Sequence, residues 1–214
     1  SGSATAGAIT KWFRDNFGSE EVAVQHHGGQ TAYVTLGDEA RNVPAGSRGL
    51  IVLPYFMGER APVWNSDAKG MIFGLSLVHT KADIFHAFEE AVCYALRHSI
   101  ESTGRDLGDY IVIAGGVTHS PAWVQMFADV TGYAVRTPVD DAEANLGDVM
   151  LAGLATNTLS IEDVQQWQVL GEKVEPRPEQ HAIYNKYYKL YRNLYQDLGD
   201  DMHELSLISG IEES

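Results

Sequence analysis

The chain has 214 residues, with 15 Lys and Arg against 29 Asp and Glu, a formal net charge of −14 with the histidines neutral. Phosphate backbones are gripped by clustered Lys and Arg. An acid excess without any basic run therefore argues against a nucleic-acid partner while leaving room for a local pocket that takes one nucleotide. A hydrophobic content of 44% with 21% charged residues excludes the disordered class, and the length suits one domain or one with an appendage.

Taken in chain order, Ser3 to Phe17 is a run of small residues followed by a helical pattern (Ile9, Trp12, Phe13) that stops at Gly18, a residue suited to a left-handed cap. Residues 19–30 lack periodicity, and Tyr33-Val34-Thr35-Leu36 reads as a short strand. After Arg48-Gly49, the unbroken apolar run Leu50-Ile51-Val52-Leu53 suits a strand buried on both faces. Thr80 with Asp83 three residues on forms a capping box, and Ile84, Ala87, Phe88, Ala91, Val92, Ala95, Leu96 and Ile100 then recur at helical spacing up to Gly104.

Tyr110 to Ala114 is strand-like, Gly115-Gly116 is a turn, and Ser120-Pro121 opens a helix that closes at Gly132, because proline's missing N–H costs nothing at a first helical position. Tyr133 to Thr137 supplies another strand and Glu143 to Thr156 another helix. Ser160 to Trp167 is a further helix, and GEKVEPRPEQ reads as a linker. In the last helix Tyr184, Tyr188, Tyr191 and Tyr195 fall on one face, which predicts packing onto the body rather than a ligand-stacking ladder. From Gly199 to Ser214 the acidic tail is expected to fray.

Few residues carry obvious chemistry. In IVIAGGVTHSPAW (111–123) a strand ends in two glycines ahead of a helix N-terminus, whose free N–H groups and positive dipole end can receive a nucleotide against bare backbone, although tight turns use the same glycines without any ligand. Neither GxGxxG nor GxxxxGK[ST] is present. The stretch LPYFMGERAPVWNSDAKGMIFGL (53–75) holds adjacent Glu59 and Arg60, and reads either as a rigid loop held by an Arg60 hydrogen-bond fan or as a cleft wall. His26-His27, and His86 with Glu90, fall short of the three or four ligands zinc requires, and no metal site is expected. Cys93, the one cysteine, excludes an internal disulfide framework; at an apolar helix position it reads as an inert buried thiol. Asp140, Asp141 and Asp148 near a Gly-rich helix start read as caps. With no basic–apolar leader and no window of about 18–20 apolar residues, a cytoplasmic protein without membrane contact is expected.

The order of these motifs resembles the C-terminal domain of the FGGY carbohydrate kinases, nearest the xylulokinase-like members. Four stretches carry the resemblance: TAGAITKWFRD (5–15), LPYFMGERAPVW with GMIFGL (53–75), IAGGVTHSPAWVQMFADVTGYAV (113–135) and EANLGDVMLAGLA (143–155). Gly70, Ile72, Gly74, Leu75, Asp83, Ile84, Ala87 and Glu90 satisfy the family's second signature. The departures are Glu89 in a slot that is normally apolar, a large Phe88, Asp148 after Gly147, and Ala114 before the glycine pair.

The resemblance implies an α/β domain of actin-like, ribonuclease-H-like type, a mixed sheet flanked by helices, spanning residues 1–198 and incomplete at its N-terminus. It implies that Gly115 and Gly116 lie against the adenosine of ATP, that Ser120 hydrogen-bonds near the base, that Gly7 passes close to the phosphates or ribose, and that Lys11 faces the nucleotide. It places the sugar, the general base and the Mg²⁺-associated acid in an N-terminal domain outside these residues. This chain then carries no catalytic or metal-binding residue and is inactive alone, with a pentulose such as xylulose as the expected substrate of the whole and a homodimer as one state it could take. A non-catalytic actin-like binding or regulatory module is the other reading of the same features.

Overall fold

The computed structural model describes residues 6–139, 143–167 and 169–209. In chain order these form α1 (Ala6–Phe17), α2 (Ser19–His26), α3 (Ala32–Ala40), β1 (Ile51–Leu53), β2 (Met71–Phe73), α4 (Lys81–Ser102), β3 (Tyr110–Val112), α5 (Pro121–Thr131), β4 (Ala134–Arg136), α6 (Glu143–Ala155), α7 (Ile161–Trp167) and α8 (Pro178–Ser209). The sheet content is mixed. β1 pairs antiparallel with β2, Val52 opposite Ile72, and β3 pairs parallel with β4, Ile111 opposite Val135.

Helix α4 is the post around which the rest packs, touching α1, α3, α5 and β1. Its start is fixed by a capping box in which Thr80 Oγ1 accepts from the Asp83 N–H while the Asp83 carboxylate accepts from the Thr80 N–H at 2.8 Å. Behind the cap, Phe85, Phe88, Ala91, Val92 and Tyr94 are buried. Phe13 of α1 meets Phe85 and Phe88 at centroid distances of 5.3 and 5.4 Å. Each ring of this size removed from water contributes about 1.5–3 kcal/mol, so α1 is held by its aromatic face rather than by helix propensity.

Helix α5 begins and ends as its sequence requires: Ser120 caps it, Pro121 takes the first position, and Gly132 closes it at φ 77°. Helix α8 packs through its tyrosines as expected, with Tyr184, Tyr188 and Tyr191 buried. Their hydroxyls are satisfied as the rings pack: Tyr191 shares a 2.9 Å hydrogen bond with Tyr55, and Tyr188 donates to Glu101 at 2.7 Å.

Four expectations are corrected. Residues 33–36 are helical, not a strand; Ala32, Leu36 and Ala40 recur every fourth residue and are buried, and packing of α3 on α4 overrides the β propensity of Tyr-Val-Thr. Residues 19–26 form α2, a helix invisible to periodicity because Glu21 is its one buried residue, ion-paired to Lys81. Gly18, at φ −100°, is not left-handed. The tail does not fray from Gly199: α8 runs on to Ser209, held where Met202 is buried and His203 Nδ1 lies 2.6 Å from Asp67.

The segment expected as a linker is strapped to the body as well. Val174 bridges Val135, and the Arg136 guanidinium donates to the carbonyls of Leu170 and Gly171 at 2.8 Å each. Asp140 and Asp141 lie outside the described residues, while Asp148 is exposed on α6.

Candidate functional site: a glycine turn beside a cleft

Strand β3 leads into the turn through Ile113, whose N–H donates to the Arg136 carbonyl at 3.0 Å. At Gly115 the backbone takes φ +102°, a conformation L side chains rarely adopt, and Thr118 donates to the Gly115 carbonyl from both its N–H and its Oγ1 at 2.9 Å. Gly116 is exposed, and a Cβ built on it would meet no atom within 4 Å. The two glycines therefore differ: the first is required by its dihedral angle, whereas the second leaves open space that the fold itself does not need.

Ser120 follows, its Oγ accepting from the Trp123 N–H at 3.3 Å. A hydroxyl has one proton to give, so the Ser120 O–H stays available to a ligand. Ser120 also lines a cleft of about 400 Å³ bounded by α3 and the loop after it, α4, the first turns of α5 and the start of α8. That volume is within the range of small-molecule sites. Of the expected site residues, Ser120 alone lines the cleft. Gly115 and Gly116 stand next to it along the chain. Gly7 and Lys11 lie apart on α1, where Gly7 is exposed with nothing within 4 Å of where a Cβ would stand and Lys11 is ion-paired to Asp15 at 2.7 Å.

On the α4 side of the cleft lies Glu89. It is 6% exposed and lines the cleft, and its carboxyl has no hydrogen-bond or ion-pair partner among the described residues. Burial first, and the neighbouring Glu90 second, push its pKa up to about 8, so it is neutral at pH 7. Glu90, one residue on, points elsewhere: it accepts from the Gly46 N–H at 2.7 Å and from Ser47 Oγ at 2.9 Å. His86 bridges the two regions, with Nδ1 2.9 Å from Ser47 Oγ while the ring lines the cleft, and burial pulls its pKa down to about 4.

These contacts explain the signature acids. Ser47 and Arg48 are non-glycine residues at φ 47° and 56°, and Arg48 Nε donates to Asp83 at 2.9 Å. Asp83 and Glu90 thus brace a left-handed turn that would otherwise relax. Among the described residues the Glu59-Arg60 loop is held by backbone and not by an Arg60 fan: Glu59 and Asn65 exchange two 2.9 Å N–H···O bonds, and Ser99 Oγ donates to the Ala61 carbonyl at 3.2 Å. Cys93 is fully buried, and burial raises its thiol pKa well above the ordinary value.

Sequence reasoning did not assemble the cleft, because Arg41, Glu89 and Arg177 come from three separate segments with no shared motif. Glu89 did carry a signal, as a carboxylate at a position where the spacing calls for an apolar side chain.

A strand–glycine turn–helix unit thus stands beside a cleft of small-molecule size, and the comparisons supply the family. The chain belongs to the FGGY family of carbohydrate kinases, whose C-terminal domain matches residues 1–156. Over 206 residues it is 31% identical to a gluconokinase from Bacillus licheniformis, covering 94% of this chain and 40% of that protein. A ligand-bound xylulose kinase from Lactobacillus acidophilus superposes with a TM-score of 0.81 at 25% identity, over 95% of this chain and 40% of the other. A Plasmodium falciparum glycerol kinase solved with ADP shares the fold at a TM-score of 0.67 and 19% identity, over 88% and 37%. The fold is the actin-like, ribonuclease-H-like one of sugar kinases. The chain spans about 40% of the length of the relatives it matches, and their named substrates differ.

Proposed function

We propose that this chain is the ATP-binding half of a carbohydrate kinase, with Gly115 and Gly116 against the adenosine and Ser120 directed at the base. The observation that carries the reading is the exposed Gly116 backbone, free of any side chain within reach of a Cβ, standing directly ahead of the α5 N-terminus and the cleft at Ser120. A flat aromatic base needs such bare peptide to lie on, and the positive dipole end of α5 favours negative charge nearby, although Pro121 lacks an N–H and those of Trp123 and Val124 are already bonded to Ser120. Gly7 is the second bare position, proposed to pass the ribose or phosphates, with Lys11 one turn along α1 offering an ammonium that Asp15 holds at the surface.

When bound, ATP supplies the transferable phosphoryl group. The residues of this chain bind and orient the nucleotide, which is the larger part of catalysis in a reaction governed by alignment and charge neutralisation. The acceptor alcohol, its general base and the contacts to Mg²⁺ are assigned to the part of the family's length that these 214 residues do not span. A pentulose such as xylulose is the proposed acceptor, the cytoplasm the proposed compartment, and the isolated chain is proposed to lack transferase activity.

Calorimetric titration with ATP tests the nucleotide reading. Wild type should give saturable heat and Gly116→Val none, with an unchanged melting temperature, since Gly116 has neither a left-handed φ nor a crowded Cβ. Equal binding by both proteins refutes the placement. Joining the chain to the N-terminal part of a matched relative and assaying pentuloses, hexuloses and polyols tests the acceptor.

A further inference from the structure

The placement of Glu89 extends the nucleotide reading and rests on it. Two polar groups with unused hydrogen-bonding capacity face one cleft from different helices: the Ser120 hydroxyl at its α5 edge and the Glu89 carboxyl on α4. Between them the walls are apolar where they come from Val43, Pro44, Met126 and Ile183. An apolar slot with a few convergent polar groups is the form a heteroaromatic ligand selects.

The other charged groups at the cleft are already committed. Arg41 is paired to Asp38, Arg177 to Asp129, and His86 lies against Ser47. A largely buried carboxyl that makes no hydrogen bond to a described residue costs folding free energy that an apolar side chain at position 89 would not, so the fold gains nothing visible from the acid. Its oxygens are not among the sealed, unpartnered atoms of the interior but open on the cleft, where a ligand can replace water as their partner.

We propose that Glu89 reads the Watson–Crick edge of the adenine base of ATP bound in this cleft, its carboxyl accepting from the exocyclic amine and donating to the adjacent ring nitrogen. A neutral carboxyl presents an acceptor oxygen beside an O–H donor, the complement of an amine next to a ring nitrogen; an ionised one presents acceptors only. Burial keeps Glu89 in the neutral form. Its role is base selection, because it is distant in mechanism from the phosphoryl groups and acts on the end of the nucleotide that does not react.

The experiment compares binding of ATP and of purine riboside triphosphate, which lacks only the exocyclic amine, to the full chain. Wild type should bind ATP about tenfold more tightly, the size of one buried hydrogen bond. Glu89→Leu, which fills the site with an apolar group and should fold at least as well, should bind the two equally. Glu89→Gln, whose amide offers the same donor and acceptor, should keep the preference. Wild type that shows no preference, or Glu89→Leu that retains it, overturns the assignment to Glu89 while leaving the ATP reading intact. Wild type that binds neither nucleotide overturns both.

Discussion

Replacing Glu89 by Gln removes one ionisable group and almost no volume, which makes it a clean probe of how the buried acid weighs on stability. In the folded chain the Glu89 pKa lies at about 8 against an ordinary value of 4.5, a gap of about 3.5 units, each worth roughly 1.4 kcal/mol. Because the folded pKa is the higher one, the folded state holds its proton longer than the unfolded state. Stability is therefore fully present below pH 4.5 and is lost as pH rises toward 8. An independent group would cost about 5 kcal/mol at the alkaline end. Glu90 on the same helix shares the repulsion, so about 2–4 kcal/mol is the working figure. The other groups facing the cleft are His86 from α4, Arg41 from the end of α3, and Arg177 and Tyr184 from the start of α8. His86 stays neutral above about pH 5, and the two arginines are paired elsewhere, so none of them reverses the sign. Thermal melts of wild type and Glu89→Gln at half-unit steps from about pH 5 to about pH 8.5 read the effect. At about 2–4 °C per kcal/mol for a chain of this size, the variant's advantage should widen by at least about 4 °C across the range. A constant difference would mean that Glu89 is ionised in the folded protein at neutral pH, and the reasoning from burial would fail.

Asp129, fully buried, accepts from the Arg177 N–H at 2.7 Å, from Arg177 Nε at 3.0 Å and from Gln125 at 3.0 Å; Asp129→Ala leaves these donors unpaired and should lower stability by about 3–5 kcal/mol in urea unfolding. Gly74 has φ +90° and its added Cβ would lie 2.3 Å from the Gly49 carbonyl oxygen, so Gly74→Ala should cost about 2–4 kcal/mol and shift the urea midpoint accordingly. Thr80→Ala removes the capping oxygen of α4 and should lower the melting temperature by about 2–4 °C, the equivalent of about 1 kcal/mol. Unchanged melting of that variant would show that Asp83 and packing alone fix the helix start.

Sequence spacing located the elements whose own residues decide them. The Thr80-Asp83 box, the Ser120-Pro121 start and the Gly132 stop are local chemistry, and each stands where the spacing put it. What spacing could not supply was anything decided by a distant partner. α3 looks like a strand until Leu36 is given α4 to pack against, and α2 has no apolar stripe because its buried residue is an acid held by Lys81. The cleft was illegible for the same reason, since its lining comes from segments far apart in the chain, from Gly37 to Tyr184. Gly116, by contrast, was readable as open backbone from its position between a strand and a capped helix.

The neighbouring acids of α4 show how one helix serves two tasks. Successive residues on an α-helix are turned by about 100°, so Glu89 and Glu90 cannot face the same surroundings. Glu90 faces the turn at Gly46 and Ser47, where its bonds help hold non-glycine residues at positive φ. Glu89 faces the cleft, where no described residue pairs with its carboxyl. His86, one turn earlier, touches both regions, its Nδ1 against Ser47 and its ring at the cleft wall. The strained turn therefore fixes the position of a cleft-lining side chain. Glu90 serves the family's signature by holding the wall in place, and Glu89, outside that signature's usual chemistry, is left to act on whatever the wall encloses.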